Sequence, residues 1–284
     1  MTDTIALIKE KKEKLSKSHK KIADYIVENY EKAAYMTAAK LSKKTDVSEA
    51  TVVRFAEKLG FSGYPEFQKN LLGYAKGKLT SVQRIDLAYE KMGESGVLQR
   101  VLKSDIMHIE KTLENIDREQ FERAAEAISS AKRIYIAGVR SAAALADFAG
   151  FYLHLIFDNV RIIKSTGGDD LFEQIMNVGE GDVFIGISFP RYSKNTIKAL
   201  EYAKKNNATV IGITDSKNSP VASMSNYCLF AECDTTSFVD SLTAAISLIN
   251  ALVASVGLKN RELVHTNFER LEKIWDEYGV YDKK

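Results

Sequence analysis

Two hydrophobic periods share this chain and divide it. Up to about residue 130, apolar side chains recur every three or four positions, as in helices with one buried face; beyond it, short unbroken apolar runs alternate with helical stretches. In the first part, residues 18–30 read as an amphipathic helix, with Ile22, Tyr25, Ile26 and Asn29 at helical spacing and Lys20 and Lys21 outside. Thr37 can cap the next helix, whose Ala38 and Leu41 face inward. Asp46, Val47 and Ser48 break it, and Ser48 suits the N-cap of another. That helix carries an inward row of Val52, Phe55, Ala56 and Leu59. Gly60 fits the left-handed residue after a helix end, and Pro65 can open a further helix, 66 to about 76. A polar stretch with Gly77, Gly93 and Gly96 marks a linker over about 78–96. Helical spacing returns over 97–113 (Val97, Val101, Ile106, Ile109, Leu113) and over 118–130.

After residue 130 the pattern predicts strands at 133–137, 160–163, 182–187, 209–214 and 227–230. Helices are predicted at 142–156, 170–177, 195–205 and 238–256, and a last one at 261–278 that packs through Trp275 and Tyr278 on the body or on a partner. Unbroken apolar strands alternating with helices imply a parallel sheet covered on both faces. The fold class is therefore an all-α helix-turn-helix domain followed by an α/β domain with a parallel sheet flanked by helices. The expected divisions are a helical domain at 1–78, a linker and connecting helix at 79–115, the α/β domain at 116–258, and a C-terminal helix and tail at 259–284. No internal repeat or low-complexity tract interrupts this plan.

Length and charge sharpen the division. The 284 residues suggest about two domains, and 45% hydrophobic content suffices to build both. Residues 1–80 hold 16 Lys and Arg against 10 Asp and Glu, a charge of +6, while the remainder, with 24 and 28, is −4. A basic first module beside a mildly acidic body suits a polyanionic partner for the first module alone. Cys228 and Cys233 have no second pair to complete a metal site, so inert thiols in a reducing compartment are expected. The lysine-rich start has no apolar signal core, and no apolar run approaches the roughly 18 residues of a membrane span. A cytoplasmic protein without a membrane partner is expected.

Two constellations carry chemistry. On the helix opened by Ser48 and Ala50, Thr51, Arg54 and Lys58 stand three and four apart and share one outward face. Arg can bond guanine bidentately and hydroxyls can reach bases or phosphates, so Ser48, Ala50, Thr51, Arg54 and Lys58 are the expected contacts to a double-stranded DNA operator. An ordinary solvated helix face is the alternative. The second constellation lies where strands run into helices, at the edge where parallel sheets bind ligands. One loop holds Gly138, Arg140 and Ser141; another holds Ser188, Pro190, Arg191 and Ser193. Helix-start amides, hydroxyls and arginines together favour a phosphate or carboxylate. Thr235 and Ser237, before the helix at 238, are a candidate third wall. Helix capping alone is the other explanation for these hydroxyls.

The chain resembles the RpiR-type (MurR/RpiR) bacterial transcription regulators, which join an N-terminal helix-turn-helix domain to a sugar isomerase (SIS) domain. The resemblance rests on residues 47–64, on the Ser141 and Ser188 loops, and on the strand 210–214 followed by Ser219, Pro220, Val221 and Ala222. It implies a regulator of sugar or carbohydrate genes whose SIS domain senses a phosphosugar or similar anionic effector. It also implies a homodimer or tetramer; no cofactor and no catalytic residue are expected. One departure stands out: the family's second loop commonly reads Ser-x-Ser-Gly-x-Thr, and here Pro190 and Arg191 replace the inner Ser-Gly. The alternative function is a phosphosugar isomerase with an accessory helical domain. Isomerisation needs a general base beside the sugar carbons, and none of His19, His108, His154 and His265 falls in a strand-end loop. His154, on an apolar helix, is expected in the core.

Overall fold

The computed structural model describes residues 4–75, 82, 85, 96–164, 170–233 and 239–281, and residues 76–78 by backbone alone. The chain splits into two compact units, Met1–Gly93 and Glu94–Lys284. Most of the expected linker lies outside the described residues.

The first unit holds α1 (Thr4–Lys11), a short 3-10 turn, α2 (Lys17–Glu28), α3 (Tyr30–Ala33), α4 (Ala38–Thr45), α5 (Glu49–Leu59) and α6 (Tyr64–Lys78). Its helix boundaries are written in capping chemistry. Thr37 accepts a hydrogen bond from the Lys40 amide, Asp46 turns left-handed at φ 53°, and Ser48 accepts from the Thr51 amide. Gly60 ends α5 at φ 103°, where a side chain would strain the backbone. Ile22, Ile26, Leu41, Val52, Phe55, Ala56, Leu59 and Phe67 meet in one buried cluster. The short α1 and α3, which periodicity did not predict, add Ile5, Ile8 and Ala33 to it.

The second unit opens with α7 (Val97–Asn115) and α8 (Arg118–Ser129). It continues β1 (Ile134–Gly138), α9 (Ser141–His154), β2 (Val160–Ile163), α10 (Asp170–Ile175), β3 (Val183–Ile187), α11 (Lys194–Lys205), β4 (Thr209–Thr214), α12 (Pro220–Met224) and β5 (Tyr227–Phe230). It closes with α13 (Thr243–Lys259) and α14 (Arg261–Tyr278). The five strands pair in parallel in the order β2-β1-β3-β4-β5. Alternate side chains feed opposite cores. Ile134, Ile136, Val183 and Ile185 join α8, α9 and α13 on one face, while Tyr135, Ala137 and Phe184 join α10, α11 and α12 on the other. No single helix among the described residues is long and apolar enough to cross a membrane; α13 and α14 pass on length and composition only as a pair bent by 97°.

Three expectations need correction. The helix foreseen from 238 starts at Thr243 and runs to Lys259; residues 239–242 are not helical, and Ser241 spends its hydroxyl on Asp105. His154 is exposed, because Ala142, Leu145, Ala146, Ala149 and Leu153 set the inner face of α9 and position 154 lies about 100° around from its neighbour. The apolar stripe of α7 forms its helix but faces this chain's core only in part: Ile109 packs against it and Val101 is half-buried. Val97, Ile106 and Leu113 are exposed, and the buried residues are His108 and Thr112.

Candidate functional site

In the first unit, the core row of α5 fixes which side faces out. Ser48, Ala50, Arg54 and Lys58 are exposed and Thr51 is half-buried. Ser48 Oγ lies 2.8 Å from Thr51 Oγ1 and accepts from the Thr51 amide at 3.2 Å, so the two hydroxyls hold one another at the helix start. Lys11 Nζ donates to Leu59 O at 2.9 Å, a cation at the negative end of α5. His19, which sequence reasoning did not place here, packs its ring edge on Phe55 at 5.9 Å. Burial, then the charges of Arg54 and Lys58, hold its pKa below the usual histidine range. Only the fold brings α2 against α5; no local motif marks His19.

In the second unit, the strand order turns between β1 and β3: the chain moves outward to β2 on one side and to β4 and β5 on the other. Such a switch point opens a crevice at the carboxyl ends of the strands. Gly138 and Ile187 are register partners, so the Arg140–Ser141 and Ser188–Ser193 loops leave neighbouring strand ends. Gly138 is required there, since a Cβ would lie 2.3 Å from Ala142 O. Arg140 follows at φ 60°, ψ −124°, a conformation that side chains rarely adopt and that clusters at functional sites. No side chain caps α9, and of its first three amides that of Ala143 donates back to Arg140 O at 3.0 Å. Arg140 and Ser141 are exposed.

The second loop is more occupied than its sequence suggests. Ser188 is only 4% exposed and its Oγ accepts from the Ser193 amide at 3.1 Å. Ser193 Oγ in turn caps α11 through the Thr196 amide at 3.4 Å. The structure thus brings Ser188 and Ser193 together and gives each oxygen a local task. Each hydroxyl proton stays available to an acceptor. Arg191 is exposed. Tyr192 Oη donates to Asp215 Oδ1 at 2.8 Å, and Thr214 Oγ1 donates to Asp215 Oδ1 at 3.2 Å, tying this loop to the end of β4. Burial and the Asp215 carboxylate hold the Tyr192 proton firmly on its oxygen. Sequence reasoning missed this pair; Asp215 directly after a strand was its one signal. Thr235 and Ser237 lie outside the described residues. Burial raises the Cys228 thiol to about 12, so it is not a nucleophile at neutral pH.

Comparisons with known proteins agree with this two-part architecture. Residues 2–77 match the family model of the helix-turn-helix domain, rpiR family, and residues 127–255 match that of the SIS domain. An HTH-type transcriptional regulator of Caldanaerobacter subterraneus subsp. tengcongensis is 28% identical over 96% of this chain and 97% of its own. The HTH-type transcriptional regulator HexR of Escherichia coli is 26% identical over 96% of this chain and 93% of its own. The sugar isomerase domain of an RpiR transcription factor from Sphaerobacter thermophilus has a TM-score of 0.60 at 26% identity, covering 62% of this chain and 98% of that one. The NanR protein of Vibrio vulnificus shares the fold at a TM-score of 0.60 and 22% identity, covering 97% of this chain and 98% of its own. With both domains matched in this order, the chain belongs to the rpiR family of helix-turn-helix transcriptional regulators that carry a SIS domain.

Proposed function

We propose that this protein binds a double-stranded operator of sugar or carbohydrate genes through α5, and that a phosphosugar or similar anionic metabolite at the β1/β3 switch point controls that binding. The observation that carries the first half is the outward face of α5: Arg54 and Lys58 are exposed on a helix whose opposite face is locked into the core. Arg54→Ala and Thr51→Ala are expected to weaken operator binding by roughly 1–3 kcal/mol each without loss of fold. Lys58→Ala should instead weaken all DNA sequences alike and lower the salt slope by about one. Fluorescence anisotropy at several salt concentrations separates the two effects. Unchanged operator affinity in both the Arg54 and Thr51 variants would remove α5 as the reader.

The second half draws support from the start of α9, which no side chain caps, the neighbouring hydroxyl loops and two arginines at one sheet edge. The NanR structure of the same fold is complexed with ManNAc-6P, a phosphorylated sugar. Arg191→Ala removes a charge-assisted contact and should cost about 1.5–3 kcal/mol of effector affinity by titration calorimetry, with ligand-free operator binding unchanged. A variant that still answers the effector at wild-type concentrations would move the pocket elsewhere.

Regulation rather than isomerisation is the activity this reading assigns, and the protein acts as a homodimer or tetramer. Leu98, Leu102, Ile106 and Leu113 are exposed along α7. Beside them, an apolar groove of ≈ 440 Å³ is lined by Ile109, Leu113, Phe121 and Leu248. Apolar surface of this kind marks partner contacts. A monomer by light scattering at micromolar concentration would count against self-association.

A further inference from the structure

The inward side of α7 carries polar groups beside Ile109, which packs against the core. Ser104, Asp105, His108 and Thr112 follow one another at gaps of one, three and four residues and share one side of the helix. Two of them are bonded to the segment between β5 and α13. Ser241 Oγ donates to Asp105 Oδ1 at 2.5 Å, and the Glu232 amide donates to Thr112 Oγ1 at 2.9 Å. His108 stands between these fixed points and Ser104 just before them, and each holds an atom without a partner among the described residues. His108 is 3% exposed, and among the described residues neither its Nδ1 nor the buried Oγ of Ser104 has a hydrogen-bond partner. Buried polar atoms are nearly always paired, because an unpaired one forfeits the bonds it would make to water.

The position of this stripe gives the unpaired groups a use. The segment it faces starts at the carboxyl edge of the sheet, where the Ala231 amide donates to Thr214 O. Its two ends enter the buried cluster that also holds Ala142 and Phe189, one from each effector loop. Ala231 and Cys233 enter from the β5 side, and Ala244 and Ala245 from the α13 side. Through Thr112 and Glu232 the stripe reaches the carboxyl edge of the sheet, the edge from which the two loops also leave.

We propose that His108 and Ser104 bind the hydroxyl-bearing body of the effector, a phosphorylated sugar whose anionic group sits at the start of α9. This rests on the switch-point pocket proposed above. Charge and the helix start suit the phosphate; imidazole nitrogen and hydroxyl groups suit sugar hydroxyls. A site built to hydrogen-bond a hydroxyl rejects ligands that lack it, so these two residues distinguish a sugar phosphate from a bare anion. α7 is also the first described helix of the second unit and follows the linker in sequence. A ligand held here contacts the element nearest in sequence to the DNA-binding unit.

The test uses the full chain with inorganic phosphate, glucose 6-phosphate, ribose 5-phosphate and N-acetylmannosamine 6-phosphate, by thermal shift and titration calorimetry. Ser104→Ala and His108→Leu remove the unpaired atoms with little change of volume, so the ligand-free variants should melt no lower than wild type. The Kd of the tightest sugar phosphate should rise about tenfold or more in His108→Leu and about threefold or more in Ser104→Ala, while that of inorganic phosphate stays within about twofold. If His108→Leu does not fold, Ser104→Ala carries the measurement. Sugar-phosphate affinity unchanged in the variants overturns the assignment, and so does an equal loss for phosphate and sugar phosphate. A wild-type protein that binds none of the four anions overturns the switch-point pocket itself.

Discussion

Phe55→Ala is expected to cost about 3–5 kcal/mol, the range for emptying a fully buried aromatic site, and to unfold the first unit at ordinary temperature. Phe55 is wholly buried on the inner row of α5. Its ring stands edge-on to Phe67 at 5.7 Å and to His19 at 5.9 Å. Removing it empties the place where α2, α5 and α6 meet, and a small helical unit has only several kcal/mol to lose. Because the chain has two units, unfolding need not be two-state, and the loss should appear in one transition. Urea unfolding followed by tryptophan fluorescence and by circular dichroism should show this. Trp275 lies in the second unit and should report an unchanged transition, while part of the helical signal melts early. Operator binding should vanish and sugar-phosphate binding should persist. An unchanged helical transition would show that Phe55 does not hold the first unit together.

Asp182→Ala should be the most damaging single change to the second unit among its charged residues. Asp182 is 0% exposed at the amino end of β3. Its carboxylate accepts Arg133 Nε at 3.0 Å, Arg133 Nη2 at 2.9 Å and the Gly179 amide at 2.9 Å. Truncating one partner of a buried pair strands the other, which costs about 3–5 kcal/mol when both are buried. The Arg133 side chain is 36% exposed and also donates to Asn177 O, so water can meet part of its charge. The expected loss is about 2–3 kcal/mol. Asp182→Asn keeps the shape and should lose less. The strand's other end carries the loop proposed to hold the effector, so folded Asp182→Ala protein should bind a sugar phosphate as wild type does. A urea midpoint equal to wild type would show that this ion pair contributes nothing net.

What the sequence revealed follows the range of the interactions involved. Thr37, Ser48 and Gly60 marked helix ends because each cap closes within a few residues, and the two loops at β1 and β3 showed because a parallel sheet has only one edge for them. Periodicity gives a helix and its apolar side but not what covers that side. α7 therefore formed as foreseen, with Ile106 and Leu113 exposed and His108 inside. His154 misled for the opposite reason, since an apolar helix still has an outer edge. His19 on Phe55, Tyr192 on Asp215 and Ser241 on Asp105 join residues 23 to 136 positions apart, and no local pattern encodes such meetings.

The most direct measurement is an operator-binding titration of the full chain, on genomic fragments that it selects, with and without a saturating sugar phosphate. The expected result is sequence-specific, salt-dependent binding whose affinity moves about 5–150-fold when the sugar phosphate is added, the usual span of coupling between two sites. Binding that ignores DNA sequence, or specific binding that no sugar phosphate alters, would contradict it.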